Sequence, residues 1–590
     1  MMRSKIKNIL NKCYKDIIAI VVICIVTTIF LMHYYNIRNL DFSVPFRYTG
    51  TDEMSTLVEA KMVQETGWNT YTDRLAAPYG FDNANNIISG LHNFDTFTTK
   101  IFTMLTGSYA CGVNYTFITA FYLIAIVAYI VLRCLKIREW ISVCGALDYA
   151  FLPFIFLRNE EHLVLSCYYF VPLLVLICLW IYEDERFLRI DRNFFKYKRN
   201  IAAIVMTFFI ANSGIVYWQF FGCFFLCVTA FSNFIKTRQW QYIAKTFLSI
   251  VSIIVFMIIG CIPEIIDIIG GASGITGRVR TYPDAELYGL KIIQLILPVR
   301  GHGIDYFERR IELYNTTAPS VTENYTAYLG IVGVIGLIIL LAVLFKYKKS
   351  TDNQAYKRLF ALSELNIAAI LMGTIGGIGT CFFVFVSQTL RGFNRISVYI
   401  AFFCILSVCI LINELCSKKM QKWQKIVFPV IISLFFIAGI MEQNPDVGLP
   451  IEQSTADWEN DKEFIGRIEQ SVEENSMIYQ LPYHEYPEGG KQYEMNDFEL
   501  FKGYLHSDTL KWSYGVSYGS AEDEHNYELS EMKAKDMVDK LKEEGFAGIY
   551  IDREGYESDK AWGTLENDLR EVLGTEPIVS NDKTLSFFKF

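Results

Sequence analysis

Residues 17–35, IIAIVVICIVTTIFLMHYY, form an apolar run that is long enough to cross a bilayer as a helix. Similar runs recur as far as residue 442. The predicted spans are 17–35, 114–134, 140–157, 163–182, 201–212, 216–231, 246–268, 326–346, 359–378, 394–414 and 426–442. The short fifth span meets the sixth through Asn212-Ser213-Gly214, which predicts a tight helical hairpin. The sequence therefore predicts a polytopic α-helical membrane protein with about 11 transmembrane helices.

The loops between these spans alternate in charge. Lysine and arginine precede the first span and recur in every second loop, near 136–138, 186–199, 236–245, 346–349 and 418–425. Because such residues accumulate in cytoplasmic loops, the pattern predicts a cytoplasmic N-terminus in the plasma membrane. An odd number of spans then puts the C-terminus outside. The predicted outer loops are 36–113, 158–162, 269–325 and 379–393.

The composition changes after the last span. Segment 444–590 carries 33 Asp and Glu against 14 Lys and Arg, a net charge of −19, whereas the whole chain carries −8. It contains none of the 14 cysteines, which argues against a disulfide scaffold. Predicted elements are helices at 457–474 and 528–544, strands at 477–481, 547–551 and 585–589, and a loop at 513–520. We therefore predict a membrane domain over 1–442 and a soluble extracytoplasmic α/β domain over 443–590.

The sequence contains none of the common cofactor-binding signatures. There is no paired Cys/His ligand spacing, Walker A sequence, GxGxxG, GxSxG or HExxH. The cytoplasmic loops are too short for a nucleotide-binding domain, so any chemistry is expected outside, with a donor held in the lipid. The sequence indicates no cofactor and no metal, and it predicts no nucleic-acid partner.

The first outer loop carries an acidic pair at the mouth of the first span. Residues 45–54 are PFRYTGTDEM. A helix is predicted there from four apolar residues at helical spacing, Met54, Leu57, Val58 and Met62, whose stripe is expected to lie along the membrane surface. Asp52 or Glu53 could then serve as general base on an acceptor hydroxyl. In the alternative interpretation Thr51 or Asp52 caps the helix and Glu53 complements its dipole.

The second outer loop is a compact polar cluster, Arg158-Asn159-Glu160-Glu161-His162. Ionisable groups at a helix mouth need partners, so Arg158, Glu160 and His162 are candidates for binding a donor. The alternative is a solvated turn, which is the preferred interpretation for Glu161.

Arginines mark the third and fourth outer loops. Arg278 and Arg280 lie in the third, and Arg391, Asn394 and Arg395 lie in the fourth. The planar guanidinium fork binds two phosphate oxygens at once. Arg391 and Arg395 are four residues apart and would share a helix face, which predicts a site for an anionic headgroup. The alternative is snorkelling of both side chains to lipid phosphate.

With these motifs the chain resembles the GT-C superfamily of membrane glycosyltransferases, in its bacterial envelope-polysaccharide branch. The resemblance covers about 1–442 and rests on Asp52-Glu53, on Trp68 followed by Arg74-Leu75-Ala76-Ala77-Pro78-Tyr79-Gly80, on Phe151-Leu152-Pro153 leading to Arg158 and His162, and on Arg391 to Arg395. It implies transfer of a sugar from a polyprenyl-phosphate donor to an envelope glycan or lipid-linked acceptor on the outer face.

The resemblance also implies roles for single residues. Asp52 is the first candidate for the catalytic base and Glu53 the second, although this pair differs from the Asp-x-Asp form found in some members. Inverting transfer is implied, with the lipid phosphate stabilised by Arg391 and Arg395, and by Arg278 or Arg280.

Two other functions remain open from the sequence, a flippase or transporter for lipid-linked glycans and a polysaccharide polymerase. A flippase should carry charges at mid-membrane depth along its path. Such residues are few within or at the ends of spans, and they include Asp148, Glu264 and Asp267. Charges gather instead at the outer interface, which favours a catalytic site there.

Overall fold

The computed structural model describes residues 2–83, 90–269, 280–302, 304–346, 353–418, 421–445 and 448–590. Among these residues, eight helices are long and apolar enough to cross a membrane. They are Tyr14–Tyr34, Tyr109–Cys134, Glu139–Arg158, Leu163–Glu183, Tyr217–Thr237, Gln241–Gly260, Phe393–Ser417 and Gln424–Gln443. Three further helices, Lys198–Ala211, Gly330–Phe345 and Gln354–Gly373, coincide with the remaining predicted spans. The predicted multi-pass helical fold is confirmed.

The third span is broken close to its outer end, and the break shapes the second outer loop. One helix ends at Ala150 and a second runs Pro153–Arg158. A proline has no backbone N–H to donate and disfavours helical backbone in the residue before it. Leu152 is accordingly extended, with ψ of 145°, and Asn159, with φ of 37°, ends the short helix. The polar cluster 158–162 is thereby held in a tight turn.

The first outer loop folds into a helix Asp52–Thr66, a two-stranded pairing of Tyr71–Thr72 with Phe81–Asp82, and a helix Asn93–Thr106. The apolar stripe on the first of these helices, Met54, Leu57, Val58 and Met62, is fully buried. The helix packs between the span Tyr109–Cys134 and the C-terminal domain. The prediction that its stripe lies along the membrane surface is therefore wrong, because protein covers both sides of the helix.

The third and fourth outer loops also contain ordered elements. The helices are Ile262–Ile269, Tyr282–Leu287, Asp305–Thr317 and Ile378–Phe385, and short 3-10 turns run Ile292–Leu295, Glu323–Ala327 and Phe393–Ile396. These elements surround the outer ends of the spans.

The C-terminal region is an α/β domain with a five-stranded mixed sheet. Its strand order is Lys511–Trp512, Met477–Leu481, Phe546–Asp552, Leu585–Lys589 and Ile578–Val579. The first three strands are parallel and the last two antiparallel to their neighbours. Its helices are Ile451–Ser471, Lys502–His506, Ala521–Ser530, Ala534–Glu543 and Asp559–Leu573.

The three predicted strands are confirmed, but the predicted helix 528–544 forms as two helices interrupted at 531–533. The interruption lets Leu529 and Leu541, on the two pieces, enter one small apolar core beneath the sheet. The helix Asp559–Leu573 was not predicted. The two-residue strands were not predicted either, because short edge strands carry little pattern.

The C-terminal domain is docked on the first outer loop by buried polar contacts. The ammonium of Lys61 donates to the carbonyls of Tyr504, Leu505 and Ser507 at 2.8, 3.0 and 2.6 Å. The backbone N–H of Trp512 donates to the Arg74 carbonyl at 2.9 Å, so segment 74–77 extends the edge of the sheet. The region around Asp52 is therefore built from both parts of the chain.

Candidate functional site

Asp52 is the first residue of the helix Asp52–Thr66, and its side chain is 58% exposed. Its Oδ2 lies 3.2 Å from Nε2 of His162. Reduced hydration among the surrounding protein, and then the charges of Glu161 and Glu53, raise the pKa of Asp52 to about 7. Asp52 therefore exchanges a proton near neutral pH, as a general base requires.

His162 is neutral at the pH where Asp52 ionises. Burial, and then the positive charge of Arg158, lower the pKa of His162 to about 3. Its imidazole therefore lies beside Asp52 with no charge of its own. The two predicted candidates, 110 positions apart in the sequence, are neighbours in the fold.

Glu53 has a different environment from Asp52. Its side chain is buried, and its Oε1 accepts from the Thr49 N–H at 2.6 Å, the Thr49 hydroxyl at 2.9 Å and the Thr51 N–H at 3.2 Å. The Thr51 hydroxyl donates to the other oxygen. Thr51 is the N-cap residue, but its side chain bonds Glu53 and no helix N–H. Glu53 closes the turn that presents Asp52.

Arg47 and Glu160 extend the site toward the second loop. Arg47 pairs with Glu161 at 2.8 Å, and its backbone N–H donates to Glu160 at 3.2 Å. Burial raises the pKa of Glu160 to about 8, so this carboxyl is largely protonated at neutral pH. Arg47 was not among the predicted site residues, although Arg47 lies in the same stretch, 45–54, as Asp52.

Glu323 joins two of the predicted arginines. Its carboxylate accepts from Arg158 at 2.7 Å and lies 3.5 Å from Nη2 of Arg395. Burial alone would raise the pKa of Glu323, but Arg395 and Arg158 hold it well below its ordinary value. Sequence spacing gave no signal for Glu323, which is 165 positions from Arg158 and 72 from Arg395.

The prediction that Arg391 and Arg395 share a helix face is wrong. Arg391 lies before the 3-10 turn Phe393–Ile396, so the two residues are not on one continuous helix. Tyr217 organises this segment instead. Its hydroxyl accepts from the backbone N–H groups of Arg391 and Gly392 at 3.0 and 2.9 Å, and its ring lies 4.5 Å from the Arg395 guanidinium carbon.

Arg280 and Arg391 are linked by a carboxylate of the C-terminal domain. Glu488 lies 3.2 Å from Nη2 of Arg280 and 3.9 Å from Nη2 of Arg391. Arg391 is also 3.8 Å from Asp284. The predicted partner Arg278 lies outside the described residues.

Several hydrogen-bond donors near Glu323 have no partner among the described residues. These are Nε of Arg158, Nε of Arg395 and the side-chain amide of Asn394, all of them buried. Buried donors without acceptors are rare in folded proteins. The cluster therefore offers donors to an anion.

A cleft of about 910 Å³ lies in the C-terminal domain, at the ends of the strands Met477–Leu481 and Phe546–Asp552. Its wall contains five tyrosines, Tyr483, Tyr493, Tyr518, Tyr527 and Tyr556. His484 also lines it and lies 3.2 Å from Asp497, whose charge contributes to the raised pKa of Asp52. The loop 482–499 thus lines the cleft and carries a charge that acts on Asp52.

No protein-family model matches the chain, and no curated protein matches its sequence. Among solved structures, the chain is similar to ArnT from Cupriavidus metallidurans bound to undecaprenyl phosphate. The TM-score is 0.50 at 12% identity, over 96% of this chain and 97% of ArnT. It is also similar to the arabinofuranosyltransferase AftD from Mycobacteria, with a TM-score of 0.49 at 12% identity over 97% of this chain.

The chain spans only 39% of the length of AftD. The likeness to ArnT, by contrast, extends almost end to end over both chains. It shows that this chain shares the fold of ArnT.

Proposed function

We propose that the protein is a membrane glycosyltransferase that moves a sugar from a polyprenyl-phosphate donor to a hydroxyl of an envelope glycan or lipid-linked acceptor. The observation that carries this proposal is the combination of accessibility, pKa and neighbouring charges at Asp52. It is an accessible carboxylate with a pKa of about 7, and it lies beside a cluster of buried arginines at the outer ends of the spans. A base next to a phosphate site is what glycosyl transfer from a lipid phosphate needs.

In the proposed reaction Asp52 removes the proton of the acceptor hydroxyl as its oxygen attacks the anomeric carbon. The bond from that carbon to the phosphate oxygen breaks, and the lipid phosphate leaves with the electron pair, which gives inversion at the anomeric centre. The neutral imidazole of His162, 3.2 Å from Oδ2 of Asp52, adds no positive charge that would lower the basicity of the carboxylate. A phosphate leaving group requires no general acid on its own side.

The arginines of the site are suited to binding the leaving phosphate. Arg395 is held by the Tyr217 ring and by Glu323, so its guanidinium is fixed before the donor arrives. The unpaired donors of Arg158, Asn394 and Arg395 support binding of an anion there. The undecaprenyl phosphate bound to ArnT, which has the same fold, supports a lipid phosphate as that anion.

Arg391 and Arg280 form the outer part of the proposed phosphate site. Their contacts with Glu488 are at 3.9 and 3.2 Å, and the contact of Arg391 with Asp284 is at 3.8 Å, so both ion pairs of Arg391 are long. A donor phosphate would compete with Glu488 for these arginines. We propose that Glu488 and the loop around it move when the donor binds.

We further propose that this site faces the outside of the plasma membrane. The basic loops of the sequence favour a cytoplasmic N-terminus. The C-terminal domain, which packs over the helix that carries Asp52, would then also be extracytoplasmic. The acceptor would reach Asp52 from that side.

The test is a transfer assay with the purified protein in detergent. Polyprenyl-phosphate sugars of different head sugars are supplied with glycan acceptors, and released lipid phosphate is measured. We expect release with one donor class from the wild type and almost none from Asp52→Asn. Movement of a lipid-linked glycan across vesicles without any release of lipid phosphate would contradict transfer and favour a flippase.

A further inference from the structure

Three carboxylates of the C-terminal domain meet away from Asp52. Glu499, Asp552 and Glu554 each offer one oxygen, and these oxygens all lie within 4.8 Å of one another. Glu499 and Asp552 are buried, and Glu554 is half-buried. Asp552 ends the central strand Phe546–Asp552, Glu554 lies in the 3-10 turn Arg553–Gly555 that follows it, and Glu499 begins the 3-10 turn Glu499–Phe501.

The negative charge at this cluster exceeds the positive charge available to it. Lys502 lies 3.0 Å from Glu499 and 3.8 Å from a fourth carboxylate, that of Asp461. One ammonium therefore faces four carboxylates. Burying like charges without compensation is costly, so the arrangement favours a second positive charge.

Two buried oxygens at the cluster have no hydrogen-bond partner among the described residues. One is Oδ2 of Asp552, and the other is the hydroxyl of Tyr550. Tyr550 is two residues before Asp552 on the same strand, so both side chains lie on one face of the sheet. An unpaired buried hydroxyl outside the acidic trio thus lies on the same face of the sheet as Asp552.

We propose that Glu499, Asp552 and Glu554 bind a divalent cation of the Ca²⁺ type. The donors are all oxygens, which suits a hard cation. The three oxygens lie within 4.8 Å of one another, so one ion can contact all of them. Ca²⁺ accepts several protein carboxylates in a flexible geometry, whereas Mg²⁺ demands near-ideal octahedral geometry and keeps several of its waters. The cation would replace the missing positive charge.

The cation site is joined to the turn that presents Asp52. The Asn496 side-chain amide donates to the Thr49 carbonyl at 2.8 Å and to Glu499 at 2.9 Å. The Phe498 N–H donates to the Gly50 carbonyl at 2.9 Å. A Cβ at Gly50 would overlap the Glu499 side chain. Fixing Glu499 by a cation would therefore also fix residues 49–51.

The first test measures cation binding on the full-length protein in detergent, with Tb³⁺ as the probe. Trp512 and Tyr550, whose rings are 5.7 Å apart, can sensitise its luminescence. We expect saturable emission that Ca²⁺ displaces more readily than Mg²⁺. Absence of sensitised emission from the folded wild type would overturn the proposal. The assay uses no sugar donor, so its failure is distinct from failure of the proposed transfer.

Variants assign the signal to these ligands. Asp552→Asn and the more accessible Glu554→Gln should each weaken Tb³⁺ binding by about tenfold or more. Glu571→Gln, which removes an exposed carboxylate of the same domain, should leave it unchanged. Equal binding in all three variants would overturn the assignment. A higher melting temperature for Asp552→Asn, with no bound cation in the wild type, would show that a proton compensates the cluster instead.

Hydrogen exchange tests the link to Asp52. Added Ca²⁺ should slow amide exchange in residues 48–51 of the wild type and leave it unchanged in Glu554→Gln. The loop 513–520 serves as the internal control. Unchanged exchange at 48–51 in the presence of bound cation would show that the ion has no role in ordering the Asp52 turn.

Discussion

Replacement of Asp52 by asparagine is the most direct test of the proposed base. The side chain is 58% exposed and makes its 3.2 Å contact with a neutral imidazole. Asparagine keeps the size of the group and adds no charge beside the imidazole. We therefore expect Asp52→Asn to fold and to retain the melting temperature of the wild type, but to lack a proton acceptor.

The size of the expected loss of turnover follows from the role of Asp52 as general base. Losing a general base lowers turnover by about 10²–10⁴-fold, which is about 3–5 kcal/mol of activation free energy. Because the pKa of Asp52 is about 7, about half of the wild-type molecules carry the base at pH 7. The comparison is therefore best made near pH 8, where nearly all of them are ionised.

Glu53→Gln is the matched control, since the neighbouring carboxylate is saturated by Thr49 and Thr51. Its loss of charge-assisted hydrogen bonds should reduce stability by about 1.5–3 kcal/mol and spare the chemical step of the folded fraction. Released lipid phosphate is measured under single-turnover conditions, and thermal unfolding is followed in parallel. Near-normal turnover in Asp52→Asn, or a large loss confined to Glu53→Gln, would refute the assignment of Asp52.

Three further predictions follow from the same site. The log of kcat/KM should rise with pH and level off above about 7 as Asp52 ionises, and His162→Phe should move that rise to higher pH because a phenyl ring beside the carboxylate solvates its charge less than the imidazole does; an unshifted profile would exclude the contact. Arg395→Lys and Arg391→Lys should weaken donor use about tenfold to a hundredfold with unchanged membrane insertion, since a point charge loses the bidentate geometry, whereas lipid snorkelling predicts unchanged kinetics. A reporter fused after Phe590 should be active only outside the cytoplasm, and cytoplasmic labelling of the C-terminal domain would contradict the proposed topology.

The membrane architecture and most of the C-terminal strands could be predicted from the sequence, because both depend on local patterns. A run of about twenty apolar residues has few alternatives to a membrane helix. The strand 477–481 is evident from a short apolar segment bounded by polar residues, and the structure has it as Met477–Leu481. The position of the helix Asp52–Thr66 was also predicted, but its burial was not, since the covering surface comes from distant residues.

The pairings within the site were decided by the tertiary structure. Asp52 and His162 were both candidates, yet only the fold brings them to 3.2 Å and separates Asp52 from the saturated Glu53. Glu323 and the trio that includes Asp552 had no signal in the sequence, because isolated carboxylates in loops look alike. Hydropathy is a property of consecutive residues, so it can be determined from the chain alone. Ion pairs and shifted pKa values depend on distances across the fold, which the order of residues does not contain.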